Sequence, residues 1–219
     1  AFASNLIDPI IVMGKSNSSD FASLGSNWHD SAHIIYENDN DTCFETASTT
    51  VNSYYNESVC PKDITIPNGI TTIAASAFVS KGLTSVNFNN VETIGNNSFQ
   101  NNSIASITIP NNMTVIGSNP FTGNLLSSVT VSEGTKFSSL GTNWYGNVHK
   151  VSFLGDSYEK NCFGVTGNLV TNYPIYCHEN VVIPATVEGV AINGIGNNAF
   201  KSKAVRFVTL GSHIITIGD

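Results

Sequence analysis

Four cysteines are the residues of this chain best suited to covalent chemistry. They fall into two pairs, Cys43 with Cys60 and Cys162 with Cys177, and each pair encloses a similar text that begins Cys-Phe and carries Val51 and Tyr54 or Val170 and Tyr173. A zinc site requires close ligand spacings such as Cys-x2-Cys, which neither pair has. A paired spacing that recurs in both copies favours local disulfides over free or metal-bound thiols. Each bridge would close a short loop and stabilise the fold by about 3 kcal/mol, chiefly by restricting the unfolded chain. Persistent disulfides imply an oxidising location, extracellular or at the cell surface.

The other candidates for chemistry carry less. His33 and His149 each follow a tryptophan by five residues in near-identical segments, Phe21-Ala-Ser-Leu-Gly-Ser-Asn-Trp28 and Phe137-Ser-Ser-Leu-Gly-Thr-Asn-Trp144. Neither has a cysteine nearby or an acidic partner matched in both copies, so the recurrence reads as a shared structural hydrogen bond, not a metal or catalytic site. Trp28 and Trp144 read as packing residues in preference to stacking platforms for sugars. The run Glu37-Asn-Asp39-Asn-Asp41 has the oxygen density of a calcium loop but not its glycine or its distant bidentate Glu. Its counterpart Asp156-Ser-Tyr-Glu159 does not keep the spacing, so a solvated acidic loop is expected. There is no Gly-x-Ser-x-Gly elbow and no phosphate-binding loop. These residues point away from an enzyme, and no cofactor or metal is expected.

Charge narrows the partners. With a net charge of −7 and nine scattered Lys and Arg, the chain cannot neutralise a run of phosphates, so nucleic acid is not an expected partner. No apolar run approaches the ~18 residues of a membrane span. The first residues lack the charged start and apolar core of a signal peptide, so a mature or excised piece is expected. Sequons at Asn17, Asn40, Asn56, Asn96, Asn101 and Asn112 would matter in a eukaryotic secretory pathway, and in so Asn- and Ser-rich a chain they also arise by chance.

What must position these residues is a repeat. Ile73, Ile94 and Ile116 are followed by Ala74, Gly95 and Gly117 and then by Phe78, Phe99 and Phe121, at spacings of 21 and 22 residues. Each unit also holds an apolar trio: Leu83, Val86 and Phe88, then Ile104, Ile107 and Ile109, then Leu126, Val129 and Val131, with a later copy in Val205, Val208 and Leu210. Alternation along a short strand puts such a trio on one side. Pro67 and Pro110, which cannot donate to a ladder, end their strands. The Ile-Gly-Asn-Asn-Ser-Phe type segment then turns the chain, with Gly and Asn taking left-handed conformations and Ile and Phe pointing inward. Val148, Val151 and Phe153 supply one more strand. A unit of about 22 residues hides about six apolar side chains, too few to offset its own ordering entropy, so the units fold only when stacked.

This text resembles the BspA-like leucine-rich repeat, whose units read roughly Leu-Thr-Ser-Val-Thr-Ile-Pro, a spacer, then Ile-Gly-x-x-Ala-Phe. The resemblance covers residues 64–140 and 181–219, and Ile107-Thr-Ile-Pro110 and Ile195-Gly-Asn-Asn-Ala-Phe200 carry it most closely. It implies a mainly β fold, a right-handed leucine-rich-repeat solenoid of short parallel strands, here with two disulfide-closed inserts. The expected divisions are 1–36 as the tail of a preceding unit, 37–63 as a disulfide-closed insert, 64–153 as repeats, 154–180 as a second insert, and 181–219 as repeats ending within a unit.

In such proteins the outward strand positions form the binding surface. Here they are Thr84, Ser85 and Asn87, then Ala105, Ser106 and Thr108, then Ser127, Ser128 and Thr130: short, neutral and hydrogen-bonding. Small hydroxyls also simply suit an exposed parallel sheet. Arg206 and Phe207 break the pattern as a candidate anchor for a partner, or as residues buried beneath a next unit. The role the resemblance implies is adhesion, with reversible multivalent contacts to a protein or glycan of a host or neighbouring cell. Two other readings are an ice-binding surface, because hydroxyl ladders on flat parallel sheets order water, and a structural stalk of a larger surface protein.

Overall fold

The computed structural model describes residues 43–55, 60–146, 148 and 151–219, together with the backbone of two parallel-paired strands, Ile10–Val12 and Ile34–Tyr36. Within these residues the chain coils into a mainly β solenoid. Each turn of the regular part lays one short strand on a first face and another on a second. Among the described residues the one helix is Ser157–Cys162.

The first face runs Asp63–Thr65, Ser85–Asn87, Ser106–Ile109, Ser128–Val131 and Ser152–Phe153, then Asn180–Val182 and Phe207–Thr209, with parallel pairing wherever neighbours are joined. The apolar trios point inward as their spacing dictates: Leu83, Ile104, Ile107, Ile109, Val129 and Val131 are buried. The strand Ser152–Phe153, with buried Val148 and Val151, is the additional one expected there. Pro67 and Pro110 do close their strands, and their carbonyls accept from Ile70 N and Met113 N in tight turns.

On the second face, Thr50–Tyr54, Thr72–Ile73, Thr93–Ile94, Val115–Ile116 and Ser139–Leu140 form one continuous parallel ladder. The segment read from sequence as a turn thus begins as a strand. The reading of its residues also needs a correction. Asn97, Asn119, Asn143 and Asn198 do take positive φ, near +50 to +60°, but Gly95, Gly117 and Gly141 do not. These glycines are required by close approach: a Cβ on Gly117 would stand 2.5 Å from Asn96 N, and one on Gly141 2.3 Å from Ser118 N. Each unit bends directly against the backbone of the unit before it.

Inside, Phe78 stacks on Phe99 (centroids 4.7 Å) and Phe99 on Phe121 (5.7 Å), with Phe88 edge-on to Phe99 at 5.6 Å. Trp144 is buried against Phe137, Tyr145 and Tyr176, as a packing residue should be.

Both cysteine pairs stand at disulfide geometry, Cys43–Cys60 and Cys162–Cys177. Each accompanies an antiparallel hairpin whose second strand joins a parallel ladder: Thr50–Tyr54 pairs with Thr72–Ile73, and Leu169–Asn172 with Gly194–Ile195. The two copies agree in detail. The Tyr54 hydroxyl donates to Pro61 O at 2.8 Å and the Tyr173 hydroxyl to His178 O at 2.8 Å, in each case the residue after the second cysteine. Each tyrosine also packs between the Phe of Cys-Phe and the inward Phe of the next unit.

Candidate functional site

The first face carries the residues singled out from the sequence, and its hydroxyls divide into two groups. Thr84 and Ser127 donate their hydroxyls to the preceding unit, to Lys62 O at 3.1 Å and Ala105 O at 3.2 Å, each beside its own backbone N–H on the same carbonyl. Ser85 donates to the Asp63 carboxylate, and Asn87 Oδ1 accepts from Asn89 N at 3.1 Å. These groups chiefly fasten one unit to the next.

Ser106, Thr108, Ser128 and Thr130 differ: among the described residues their hydroxyls have no internal hydrogen bond, and they stand outward in strict register. Ser106 lies opposite Ser128, and Thr108 opposite Thr130, which in turn faces Ser152. Parallel strands lie about 4.8 Å apart and same-side residues about 6.6 Å along a strand, so these side chains form a small rectangular grid of free donors and acceptors.

Arg206 and Phe207 do not join that grid. Among the described residues the strand Phe207–Thr209 pairs only with Asn180–Val182, as a separate sheet. Phe207 is 66% exposed and Arg206 lies 3.5 Å from Glu179. The copy of the apolar trio there is also open: Val208 and Leu210 are 39% and 43% exposed, because among the described residues no further unit covers them.

Two features went unread in the sequence. The first is a pair of buried asparagines that stitch successive units together. Asn102 Oδ1 accepts from Lys81 N and Leu83 N, both at 3.0 Å, while its Nδ2 donates to Phe78 O at 2.7 Å and Phe99 O at 2.8 Å. Asn124 repeats the arrangement one unit on, with Ile104 N as donor and Phe99 O and Phe121 O as acceptors. The signal was present as Asn three residues after the inward Phe. The second is an outward row on the continuous second face, Thr50, Thr72, Thr93, Val115 and Ser139, each one residue before an inward aliphatic side chain.

The remaining candidates separate cleanly. Asp156 accepts from Gly134 N at 2.9 Å and pairs with Lys160 at 2.7 Å; these contacts hold its carboxyl below the ordinary range and spend its oxygens on the fold. Asn112 of one sequon donates its Nδ2 to Val91 O at 2.9 Å, the atom a glycan would take. Trp28, His33, His149, Glu37, Asp39, Asp41, Asn17, Asn40 and Asn56 lie outside the described residues. Among the described residues no group of three or more His, Cys, Asp or Glu is arranged to hold a metal ion, and no helix is long and apolar enough to cross a membrane.

Repeated strands with this register, inward trio and inward Phe define a leucine-rich-repeat solenoid. The chain belongs to the BspA type leucine-rich repeat family, whose model matches residues 47–166 in six copies. No curated protein matches it. Two solved structures are similar at 15% identity: a leucine-rich repeat protein from Eubacterium ventriosum (TM-score 0.45) and the pneumococcal vaccine antigen PcpA (TM-score 0.42). Each alignment covers 96% of this chain, with 56% of the first protein and 57% of the second, so the chain spans a little over half the length of either.

Proposed function

We propose that this chain is a recognition module of a secreted or cell-surface protein, and that the first face holds a protein or glycan of a host or neighbouring cell through many weak contacts. The observation that carries the reading is the in-register grid of Ser106, Thr108, Ser128, Thr130 and Ser152, hydroxyls that the fold does not use. A row that serves only the fold would bond inward, as Thr84 and Ser127 do. The disulfides support an extracellular setting. Adhesion by repeated units gains strength through effective concentration as units are added, without a deep pocket or catalytic residue. The water-ordering alternative has less to stand on, since among the described strands only Ser106–Ile109 and Ser128–Val131 carry a full Ser-x-Thr pair.

The test is an array of matrix proteins and glycans probed with the natural chain and with a variant in which Ser106 and Ser128 become Ala and Thr108 and Thr130 become Val. Specific binding that the variant loses while keeping its circular dichroism and melting behaviour supports the reading. Simultaneous loss of fold and partner, or undiminished binding, removes the surface from consideration.

A further inference from the structure

The first face has a seam. Ser132 N donates to Ile109 O at 3.0 Å and Leu154 N to Val131 O at 2.9 Å, closing the end of each strand pair. Pro110 occupies the corresponding place in the unit before and has no N–H to give, so Phe88 O accepts instead from Val91 N within its own turn. No ladder joins Ser85–Asn87 to Ser106–Ile109, although both neighbours are laddered on their other sides.

Across this seam lies a hollow of about 380 Å³, lined by Ser85, Asn87, Asn89, Ser106, Thr108 and Pro110 over the flank of Val86 and Phe88. Its polar lining is neutral and supplies both donors and acceptors. Among the described residues Ser106 and Thr108 have unbonded hydroxyls, and Asn87 keeps its Nδ2 free. Asn89 spends its Nδ2 on Ile66 O and Asn68 and keeps its Oδ1. The Asp63 carboxylate that receives Ser85 sets a negative charge beside the wall, which disfavours an anion. The hollow offers no Arg or Trp of the kind that anchors a protein partner.

Resting on the recognition reading above, we infer that the seam between Ser85–Asn87 and Ser106–Ile109 is a binding site for a neutral saccharide. A pyranose presents hydroxyls at its edge, matched by the Ser, Thr and Asn groups, and an apolar face, matched by Val86 and Pro110. A hollow of this size falls at the small end of ligand pockets, suited to one or two sugar rings.

The experiment titrates the isotope-labelled chain with cellobiose, maltose, lactose and N,N′-diacetylchitobiose, and with a heparin disaccharide as the anionic control, following amide shifts by nuclear magnetic resonance. At least one neutral sugar is expected to give saturable shifts confined to residues 85–89 and 106–110, and the heparin disaccharide none. Asn87→Leu with Thr108→Val, both exposed, should weaken binding at least about tenfold, a loss of about 1.4 kcal/mol. Pro110→Ser, which restores the missing donor as at Ser132, should close the seam and weaken it similarly. Silence from every neutral sugar, shifts elsewhere, or unchanged affinity in both variants overturns the assignment. If a matrix protein still depends on the hydroxyl grid while the sugars leave the hollow unmoved, the saccharide site falls and the recognition reading stands; if neither binds, both fall.

Discussion

Replacing Asn102 with Ala should cost far more than its size suggests. The side chain satisfies Leu83 N and Lys81 N through Oδ1 and caps Phe78 O and Phe99 O through Nδ2. Leu83 and Phe78 are fully buried, and neither group has another partner at hand. Phe99 O keeps its bond from Asn124, and Lys81 N lies where water reaches it. Two buried backbone groups are therefore orphaned, at about 1–3 kcal/mol each, and two weaker bonds are lost, for a total of about 3–5 kcal/mol. Asn102→Asp separates hydrogen bonding from cavity formation: it keeps the volume and the acceptor but turns an oxygen toward Phe78 O and Phe99 O. It should be at least as harmful at neutral pH. Denaturant unfolding followed by Trp fluorescence gives the magnitudes, and hydrogen exchange should show protection lost first at Leu83 and Ser103. Ser103→Ala, at an exposed side chain, should stay within about 0.5 kcal/mol. A cost under about 1 kcal/mol for Ala, or an Asp variant as stable as the natural chain, would refute the stitching role.

Three further outcomes are expected. Gly117→Ala, whose Cβ meets the Asn96 backbone, should destabilise by about 3 kcal/mol, whereas Gly134→Ala, at φ +81° with Asn111 Cβ no nearer than 3.9 Å, should cost only about 1 kcal/mol; equal melting shifts would contradict the close-approach argument. Cys162→Ser with Cys177→Ser should lower stability by about 3 kcal/mol, given a sequence separation of 15, and reducing agent should then change nothing further at that hairpin; an unshifted denaturation midpoint refutes it. Burial pushes the Tyr54 and Tyr173 phenols well above their usual 10.0 and Tyr176 up to about 12. Because these folded-state values are raised, their contribution is complete below about pH 10 and lost as pH rises through the folded values, so phenolate absorbance should rise late and together with unfolding. Tyrosines that all titrate near 10 in an intact fold would contradict the packing described.

Much of the architecture could be read because burial in a repeat is periodic. Ile73, Ile94 and Ile116 with Phe78, Phe99 and Phe121 declared an interior, Leu83, Ile104 and Ile107 declared a strand, and the two Cys-Phe texts declared paired hairpins. A repeating unit must put the same side chains on the same side in every copy, so a one-dimensional pattern suffices to find them. The outward placement of Ser106, Thr108, Ser128 and Thr130 followed from the same alternation.

What lies between units was not legible. Whether Thr84 spends its hydroxyl on Lys62 O or Thr108 keeps its own depends on distances between backbones that no spacing encodes. The same is true of Gly117, whose role is set by Asn96 of the preceding unit, and of Asn102, whose partners span residues 78 to 100. Pro110 could be read as ending a strand; that its missing N–H also leaves a seam between two units required the neighbouring strand to be in view. Sequence alone settled which residues face the interior, through hydrophobic periodicity, whereas tertiary structure decided which polar groups remain free to meet a partner, because hydrogen bonding between stacked turns is a contact in space.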